Sequence, residues 1–268
     1  MPAKVLTVTS GKGGVGKTTA SANLASALAA EGHKVVCIDA DIGLRNLDLI
    51  LGLENRIVYD LVDVVEGRCR VRQAMIRHKQ LPTLHLIPAA QTRDKNAVSP
   101  SDMIRLCDEL RDEHDWILID SPAGIERGFR NAIAPSDVVL VITNPEVSAV
   151  RDADRIIGLI EAEEKGPPRL VLNRLNPELV RRGEMLSPED VLELLAIDLI
   201  GIVPEDPNVV MASNRGVPVA LDPKNSAGQA FRNIAQRLQG KQVPLMDLER
   251  KDGFLGRISR MMGLGGKA

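Results

Sequence analysis

Short runs of apolar residues alternate along the chain with longer stretches in which apolar residues recur every three or four positions. Seven runs have the length and β-branched composition of buried strands, namely residues 5–10, 34–39, 84–88, 116–120, 138–142, 169–173 and 199–203. Helical patterns lie near residues 18–30, 101–113, 147–164, 188–196 and 226–239. This alternation predicts a doubly wound α/β fold, in which helices flank a mostly parallel β-sheet and the crossovers are right-handed.

The composition agrees with this fold and excludes several classes of protein. Of the 268 residues, 44% are hydrophobic but only 2% are aromatic, so aliphatic side chains must fill the core. The net charge of −2 does not favour nucleic-acid binding by the whole surface. The three cysteines are far apart and form no CxxC pair, which predicts reduced thiols rather than a zinc or iron–sulfur site. We expect neither a signal peptide nor a membrane-spanning segment.

The most specific motif is a glycine-rich loop between the first strand and the first helix. Residues 11–18 read Gly-Lys-Gly-Gly-Val-Gly-Lys-Thr and satisfy the phosphate-loop pattern GxxxxGK[ST] of nucleotide triphosphatases. Such glycines let backbone N–H groups approach phosphates at a helix N-terminus. We expect Lys17 to meet the β- and γ-phosphates and Thr18 to hold Mg²⁺. The predicted nucleotide contacts here are Gly11, Gly13, Gly14, Val15, Gly16, Lys17, Thr18 and Thr19.

Aspartates close two of the predicted strands. Asp120 ends the run Trp-Ile-Leu-Ile-Asp, the Walker-B pattern in which the carboxylate holds Mg²⁺ directly or through water. Asp39 and Asp41 follow the second strand, at the edge of the sheet where ligands bind. We assign Asp39 to the metal shell and expect Asp41 to orient the attacking water. The alternatives are a helix-capping role for Asp120 and an acidic turn without chemistry for the other two.

A possible base-reading element ends the strand near residue 173. The segment Asn173-Arg-Leu-Asn176 resembles the [NT]KxD element of GTPases, but Asn176 stands where guanine recognition requires aspartate. The substitution argues for adenine. We predict that Asn173 contacts the base with help from Pro204, Glu205 and Asp206. Plain turns at the ends of strands are the alternative.

The C-terminal residues have a different character from the rest of the chain. We predict a P-loop ATPase domain over residues 1–239, a linker over 240–252 and an amphipathic membrane-targeting segment over 253–268. At about 100° per residue, one face of this segment collects five apolar side chains, those of Phe254, Leu255, Ile258, Met261 and Met262. Arg257 and Arg260 lie off that face, and Ser259 lies on its far flank. The predicted membrane residues are Phe254, Leu255, Arg257, Ile258, Arg260, Met261, Met262 and Leu264. Residues 249–268 carry five basic and two acidic side chains, which suits an anionic membrane surface. A last helix docked on the protein's own core is the alternative.

Together these stretches resemble the deviant Walker-A, MinD/ParA-type P-loop ATPase family, and within it the ATPases that select the cell-division site. The matching residues are 9–19, 39–48, 91–95, 120–126, 143–148 and 203–206, so the resemblance covers nearly the whole chain. A second lysine in the phosphate loop, Lys12, is the family's signature. Together with Lys17 and Asp41, it makes up the predicted catalytic set.

The resemblance implies a dimer that assembles with ATP and Mg²⁺ and cycles on and off the membrane. Lys12 would reach across to the phosphates of the other subunit. MinC and, where present, MinE would be the protein partners, and anionic phospholipid the surface. The protein would be cytoplasmic and reversibly peripheral on the inner face of the cell membrane. Residues on segments that line dimer or partner surfaces in this family are Arg45, Asn46, Glu126, Glu146 and Asp152.

Three other functions remain open at this point. A DNA-partitioning ATPase of the same superfamily would use a basic surface, for which Arg181, Arg182 and Arg215 offer a local patch. An iron–sulfur carrier would need paired cysteines, which this chain lacks. An ATP-gated scaffold with little turnover would share all the nucleotide-binding residues.

Overall fold

The structure is a computed structural model that describes residues 2–94, 97–246 and 248. Its strands are β1 (Lys4–Thr9), β2 (Val35–Asp39), β3 (Ile76–Arg77), β4 (Leu84–Ile87), β5 (Trp116–Asp120), β6 (Val138–Thr143), β7 (Arg169–Leu175) and β8 (Asp198–Pro204). Its helices are α1 (Lys17–Ala30), α2 (Leu47–Ile50), α3 (Leu61–Val65), α4 (Val71–Ala74), α5 (Pro100–Leu110), α6 (Arg127–Ile133), α7 (Val147–Ala162), α8 (Pro177–Arg181), α9 (Pro188–Leu195), α10 (Pro207–Asn214) and α11 (Ser226–Leu238). Short 3₁₀ helices cover Glu54–Arg56 and Val219–Leu221.

The strands form one sheet in the order β3-β4-β2-β5-β1-β6-β7-β8. Every neighbouring pair is parallel except β3 and β4, which are antiparallel. The predicted mostly parallel sheet is therefore confirmed, and all seven predicted strands are present. The strand missed by the sequence analysis, β3, has only two residues, too few to make an apolar run.

Aliphatic side chains pack on both faces of the sheet, as the composition requires. Helices α1 and α11 cover one face, where Phe231 is among the largest fully buried side chains. Helix α1 is rich in alanine, and 11 of its 14 residues are buried, so it lies close against the sheet. Helix α5 covers the other face near β2 and β5. This packing fixes the start of α1, and with it the phosphate loop, above the middle of the sheet.

The start of the predicted linker is fastened to the domain. The guanidinium of Arg237 donates to the carbonyl oxygens of Val243 and Pro244, at 2.8 and 2.6 Å. Lys241 Nζ lies 2.6 Å from the carboxylate of Glu31. Linker residues 247 and 249–252 and the whole predicted membrane segment, residues 253–268 with Phe254 to Leu264, lie outside the described residues. Within the part that is described, no helix is both long and apolar enough to cross a bilayer.

Candidate nucleotide-binding site

The phosphate loop joins the end of β1, in the middle of the sheet, to the start of α1. Gly14 and Gly16 have positive φ angles of 81° and 97°, which residues with a side chain rarely adopt. Gly16 immediately precedes α1, and no side chain caps the helix there. The backbone N–H groups of the first turn therefore lack a side-chain acceptor, and together with the helix dipole they suit an anion. The loop has the conformation that the sequence predicted for a phosphate cradle.

Two of the loop's glycines are required by close packing. A Cβ on Gly11 would lie 2.1 Å from the carbonyl oxygen of Asp152 in α7, and one on Gly16 would lie 2.3 Å from Nδ2 of Asn173. Gly13, by contrast, has nothing within 4 Å of the Cβ position and does not have a positive φ. The loop is thus clamped between α7 and the end of β7, while its outer turn stays open.

We expect Gly11→Ala to lower the free energy of unfolding by about 1–3 kcal/mol or more, because the backbone of α7 must move to admit the methyl group. Gly13→Ala is the matched control in the same loop, and its effect should stay within about 0.5 kcal/mol. Urea unfolding of both variants measures the difference. Equal stability of the two variants would contradict the packing argument.

Lys17 and Asp120 meet at the base of the loop. Lys17 Nζ lies 3.3 Å from Asp120 Oδ1, and both side chains are buried. Ser21 Oγ, one turn further along α1, donates to the same oxygen at 2.9 Å. Ser21 was not among the predicted site residues, although its i+4 spacing from Lys17 on a helix could have indicated a shared face.

The other oxygen of Asp120 indicates where a cation fits. Asp120 Oδ2 is buried and has no hydrogen-bond partner among the described residues. A buried carboxylate oxygen without a partner is costly unless a ligand completes its environment. No group of three or more His, Cys, Asp or Glu side chains in the described part of the chain could hold a metal alone. The arrangement suits Mg²⁺, which takes one or two protein ligands and completes its shell with phosphate and water oxygens.

Asp39 lies level with Asp120 on the neighbouring strand, because β2 and β5 pair in that register. Asp39 is fully buried, and its two carboxylate oxygens accept the backbone N–H groups of Asp41 and Leu47, at 3.0 and 3.2 Å. Burial, with the nearby charge of Asp120 as the second cause, raises the pKa of Asp39 to about 7. Asp39 therefore fixes the loop that carries Asp41, and its place in a metal shell stays a prediction.

Lys12 is exposed and leans towards α7. Its Nζ donates to Ser148 Oγ at 3.2 Å, near the start of that helix. Lys12 and Lys17 thus extend from one loop in different directions, one onto the surface and one into the buried site.

Beside the phosphate loop a cavity of about 620 Å³ collects the residues predicted to meet the base. Its lining includes Gly16, Thr19, Asn173, Pro204, Glu205 and Asp206, together with residues that the sequence did not single out, Arg174 and Val210 among them. The volume lies within the range of small-molecule sites. Residues from five segments that are distant in sequence therefore meet at one side of the phosphate loop.

Several of these side chains also build the cavity wall. Asn173 is buried, and its Nδ2 donates to the carbonyl oxygen of Val15 at 2.7 Å, so it fastens the phosphate loop to β7. Asp206 accepts from Asn208 N and from Asn225 Nδ2, each at 2.8 Å. Asn176 Nδ2 donates to Glu205 Oε2 at 3.0 Å. Contacts of Asn173, Glu205 and Asp206 with a base stay predictions, and the structure gives these residues a positioning role.

The predicted partner residues lie around the same edge of the sheet. Arg45 and Asn46 follow β2, Glu126 follows β5, and Glu146 and Asp152 belong to the segment after β6. Arg45 has a positive φ of 50° and pairs with Asp48 at 3.1 Å. Leu44, Ile125 and Val147, in the same three segments, are 62%, 56% and 58% exposed. The loop is thus surrounded by exposed apolar side chains with charged neighbours.

The sequence matches a known family over most of its length. The model of the CobQ/CobB/MinD/ParA nucleotide binding domain matches residues 6–219. The septum site-determining protein MinD of Bacillus subtilis is 53% identical over 264 residues, which cover 97% of this chain and 98% of that protein.

Solved structures agree in fold. One is a MinC:MinD cell division protein complex from Aquifex aeolicus, with a TM-score of 0.86, 49% identity and coverage of 91% of this chain and 99% of that chain. Another is a septum site-determining MinD complexed with Mg-ADP from Pyrococcus horikoshii, with a TM-score of 0.79, 28% identity and coverage of 88% and 96%.

Proposed function

The chain belongs to the MinD family of P-loop ATPases, and from that membership we propose that it is an ATP-dependent ATPase that selects the cell-division site by cycling on and off the membrane. The observation that carries the proposal is the buried cluster of Lys17, Ser21 and Asp120 beneath the phosphate loop. That cluster leaves one carboxylate oxygen for a cation. The relatives named as septum site-determining proteins supply the cellular role.

In the proposed mechanism, the loop's backbone N–H groups and Lys17 hold the phosphates of ATP. Thr18 and Asp120 would hold Mg²⁺, which would supply positive charge to neutralise the phosphate oxygens. Asp41 orients the attacking water, and Asp39 keeps the Asp41 loop in place through its hydrogen bond to the Asp41 backbone. Phosphoryl transfer of this kind depends on positioning and charge compensation rather than on a strong base.

The base is adenine in this proposal. Asn176 occupies the position where a guanine-specific site needs a carboxylate, and its amide is engaged with Glu205. The cavity beside Asn173 and Pro204 offers the space for the base.

ATP binding brings two subunits together through the edge that carries the phosphate loop. We place the exposed apolar residues Leu44, Ile125 and Val147 at the centre of this surface. Their charged neighbours in sequence, Arg45, Glu126 and Glu146, would lie around them. An apolar centre with a polar rim is the usual anatomy of a protein interface. In this proposal Lys12, which is exposed at the same edge, reaches the nucleotide of the other subunit and acts there as an arginine finger does.

MinC is the proposed partner of the ATP-bound dimer, since a similar chain is found in a MinC:MinD complex. MinE, where the cell has it, would stimulate hydrolysis and release the dimer from the membrane.

The predicted tail makes membrane binding depend on dimerisation. Full burial of the five apolar side chains that share one face, Phe254, Leu255, Ile258, Met261 and Met262, would yield about 8–12 kcal/mol. Ordering about a dozen residues costs on the order of 12 kcal/mol. One tail is therefore marginal, even with about 1 kcal/mol for each nearby basic residue. Two tails on one dimer make the second insertion intramolecular, which raises the apparent affinity by about 10²–10⁴.

The test is co-sedimentation of the protein with anionic vesicles in ATP, in ADP and without nucleotide. We expect the chain to sediment with vesicles only in ATP. Equal sedimentation in ADP and ATP would contradict control by nucleotide. Sedimentation in no state would favour the DNA-partitioning alternative, and the comparison would then be repeated with duplex DNA.

A charge introduced into the tail should disrupt lipid binding without affecting nucleotide binding. We expect Ile258→Glu to abolish vesicle binding in ATP, because it places a carboxylate on the apolar face. ATP binding should not change. Ser259→Glu adds the same charge at the flank of that face, so it should weaken binding much less. Vesicle binding by Ile258→Glu at the level of the unchanged protein would count against the tail.

A further inference from the structure

A second cavity lies at the opposite edge of the sheet from the phosphate loop. It encloses about 430 Å³, and its lining includes Lys34, Arg72, Arg77, His85, Glu113 and His114. We call it the basic cavity. Lys34 immediately precedes β2 and His114 lies just before β5, so the cavity is at the end where these parallel strands begin. A five-residue strand separates the two edges by roughly 16 Å.

Positively charged side chains outnumber negatively charged ones in the lining of the basic cavity. Arg72 pairs with Glu113 at the rim, which neutralises both. Lys34 and Arg77 are exposed, and the described residues provide neither of their side chains with an ion pair. Among the described lining residues, Glu113 is the one carboxylate, and its charge acts on Lys34 as well as on Arg72. Three cationic side chains therefore share one carboxylate, and this excess of positive charge around a concave space attracts anions.

Two histidines add donors and acceptors to the same wall. His85 is opposite Arg77 in the antiparallel pair of β3 and β4, and its ring lies edge-on to that of His114 with centroids 6.2 Å apart. His85 Nδ1 is buried and has no hydrogen-bond partner among the described residues. Burial, with the charges of His114 and Arg77 as further causes, lowers the pKa of His85. A bound anion would supply the charge that favours protonation of this ring.

We propose that the basic cavity binds a small phosphate ester through Lys34, Arg77 and His85. Phosphate suits the site because its oxygens accept several charge-assisted hydrogen bonds at once. The volume exceeds that of a bare phosphate and leaves room for an attached group. The ester can be a soluble molecule or the headgroup of an anionic lipid, and the position of the cavity makes this site separate from the nucleotide.

Histidine NMR gives a direct test, because the chain has only four histidines. The full-length protein is saturated with Mg-ADP, so that its phosphate loop is filled, and then titrated with glycerol 3-phosphate. We expect the imidazole signals of His85 and His114, which line the cavity, to move saturably and further than those of His33 and His78, which do not line it. Sodium chloride at the same ionic strength should not reproduce the movement.

Substitutions show which positively charged side chains bind the ester. We expect Arg77→Gln to weaken binding about tenfold or more, since a hydrogen bond to a charged group is lost. Lys34→Gln should do the same and serves as the second variant should the first fail to fold. Arg182→Gln removes an exposed arginine at the end of α8 and should leave the affinity unchanged.

A vesicle experiment separates the two sources of phosphate. If the ester is a lipid headgroup, Arg77→Gln will reduce sedimentation with phosphatidylglycerol vesicles in ATP, and the soluble probe will bind weakly. If it is soluble, the two proteins will sediment equally and the NMR titration will saturate. The proposal is overturned if no histidine signal moves saturably and sedimentation is also unchanged, or if Arg77→Gln binds the probe as tightly as the unchanged protein.

Discussion

Lys12→Ala is expected to lower the rate of ATP hydrolysis by about 10³-fold or more while the single chain still binds ATP. Lys12 is exposed and rests against Ser148, so its loss removes no buried contact of the loop. Lys17, which is buried beside Asp120, remains to hold the phosphates. Steady-state turnover and equilibrium ATP binding measure the two effects. Lys224→Ala, an exposed lysine before α11, is the control and should be neutral.

A mixing experiment determines whether Lys12 acts across the dimer. We expect Lys12→Ala and Asp41→Ala each to be inactive alone, the second because its attacking water is no longer oriented. In a mixed dimer, the Asp41→Ala subunit would supply Lys12 to a partner whose Asp41 is intact. Random mixing makes half of the dimers mixed, and each has one complete site, so turnover should recover to roughly a quarter.

The outcome shows whether Lys12 acts on the nucleotide of its own subunit or on that of the other subunit. If Lys12 served its own subunit, neither subunit of the mixed dimer would be complete, and no activity would return. Both variants must first be shown to dimerise in ATP. Loss of ATP binding by Asp41→Ala would place Asp41 in the metal shell instead of beside the water.

Asp120→Asn should remove most of the effect of Mg²⁺ on nucleotide binding and turnover. Asparagine keeps the shape of the side chain, but it loses the charge that faces Lys17 and the carboxylate oxygen that has no protein partner. We expect turnover to fall by about 100-fold or more. Addition of Mg²⁺ should no longer tighten nucleotide binding. Titrations of the nucleotide in EDTA and in Mg²⁺ measure this difference directly.

Asp112→Asn is the matched control, since Asp112 is exposed just after α5 and precedes the same strand. It should keep full turnover and the full effect of Mg²⁺. If Asp120→Asn also kept them, Asp120 would be a structural partner of Lys17 and Ser21 and not part of the metal site.

The sequence predicts the sheet well because its strands are long and apolar. The run 116–120 is fully buried in the structure, and an apolar run of that length has few alternatives. Strand β3 has two residues, and helices α2 and α4 have four each, so none is long enough to repeat its period of side-chain positions. The conformation of these short elements is determined by packing against neighbouring elements rather than by their own residue pattern.

Site residues could be predicted where they lie close together in the sequence, and they were missed where they meet only in the fold. The phosphate loop is contiguous, so its spacing alone identifies it. The bond from Ser21 to Asp120 spans 99 positions, and the bond from Asn173 to Val15 spans 158. Contacts between residues so far apart in the sequence produce no local pattern from which they could be predicted. Asn173 was recognised by its place at the end of a strand, but its hold on the phosphate loop becomes visible only when the strands are assembled.

The order of strands in the sheet also determines when a nascent chain can first hold nucleotide. The phosphate loop leaves the ribosome early, but Asp120 arrives about a hundred residues later, on the strand that pairs with β1. The cavity wall is complete only when Phe231 in α11 has been synthesised. A ribosome that stalls before that point therefore carries a chain with a phosphate loop and an unfinished pocket. Bound nucleotide can stabilise the fold only after about 86% of the chain has been translated, when the domain folds as a unit.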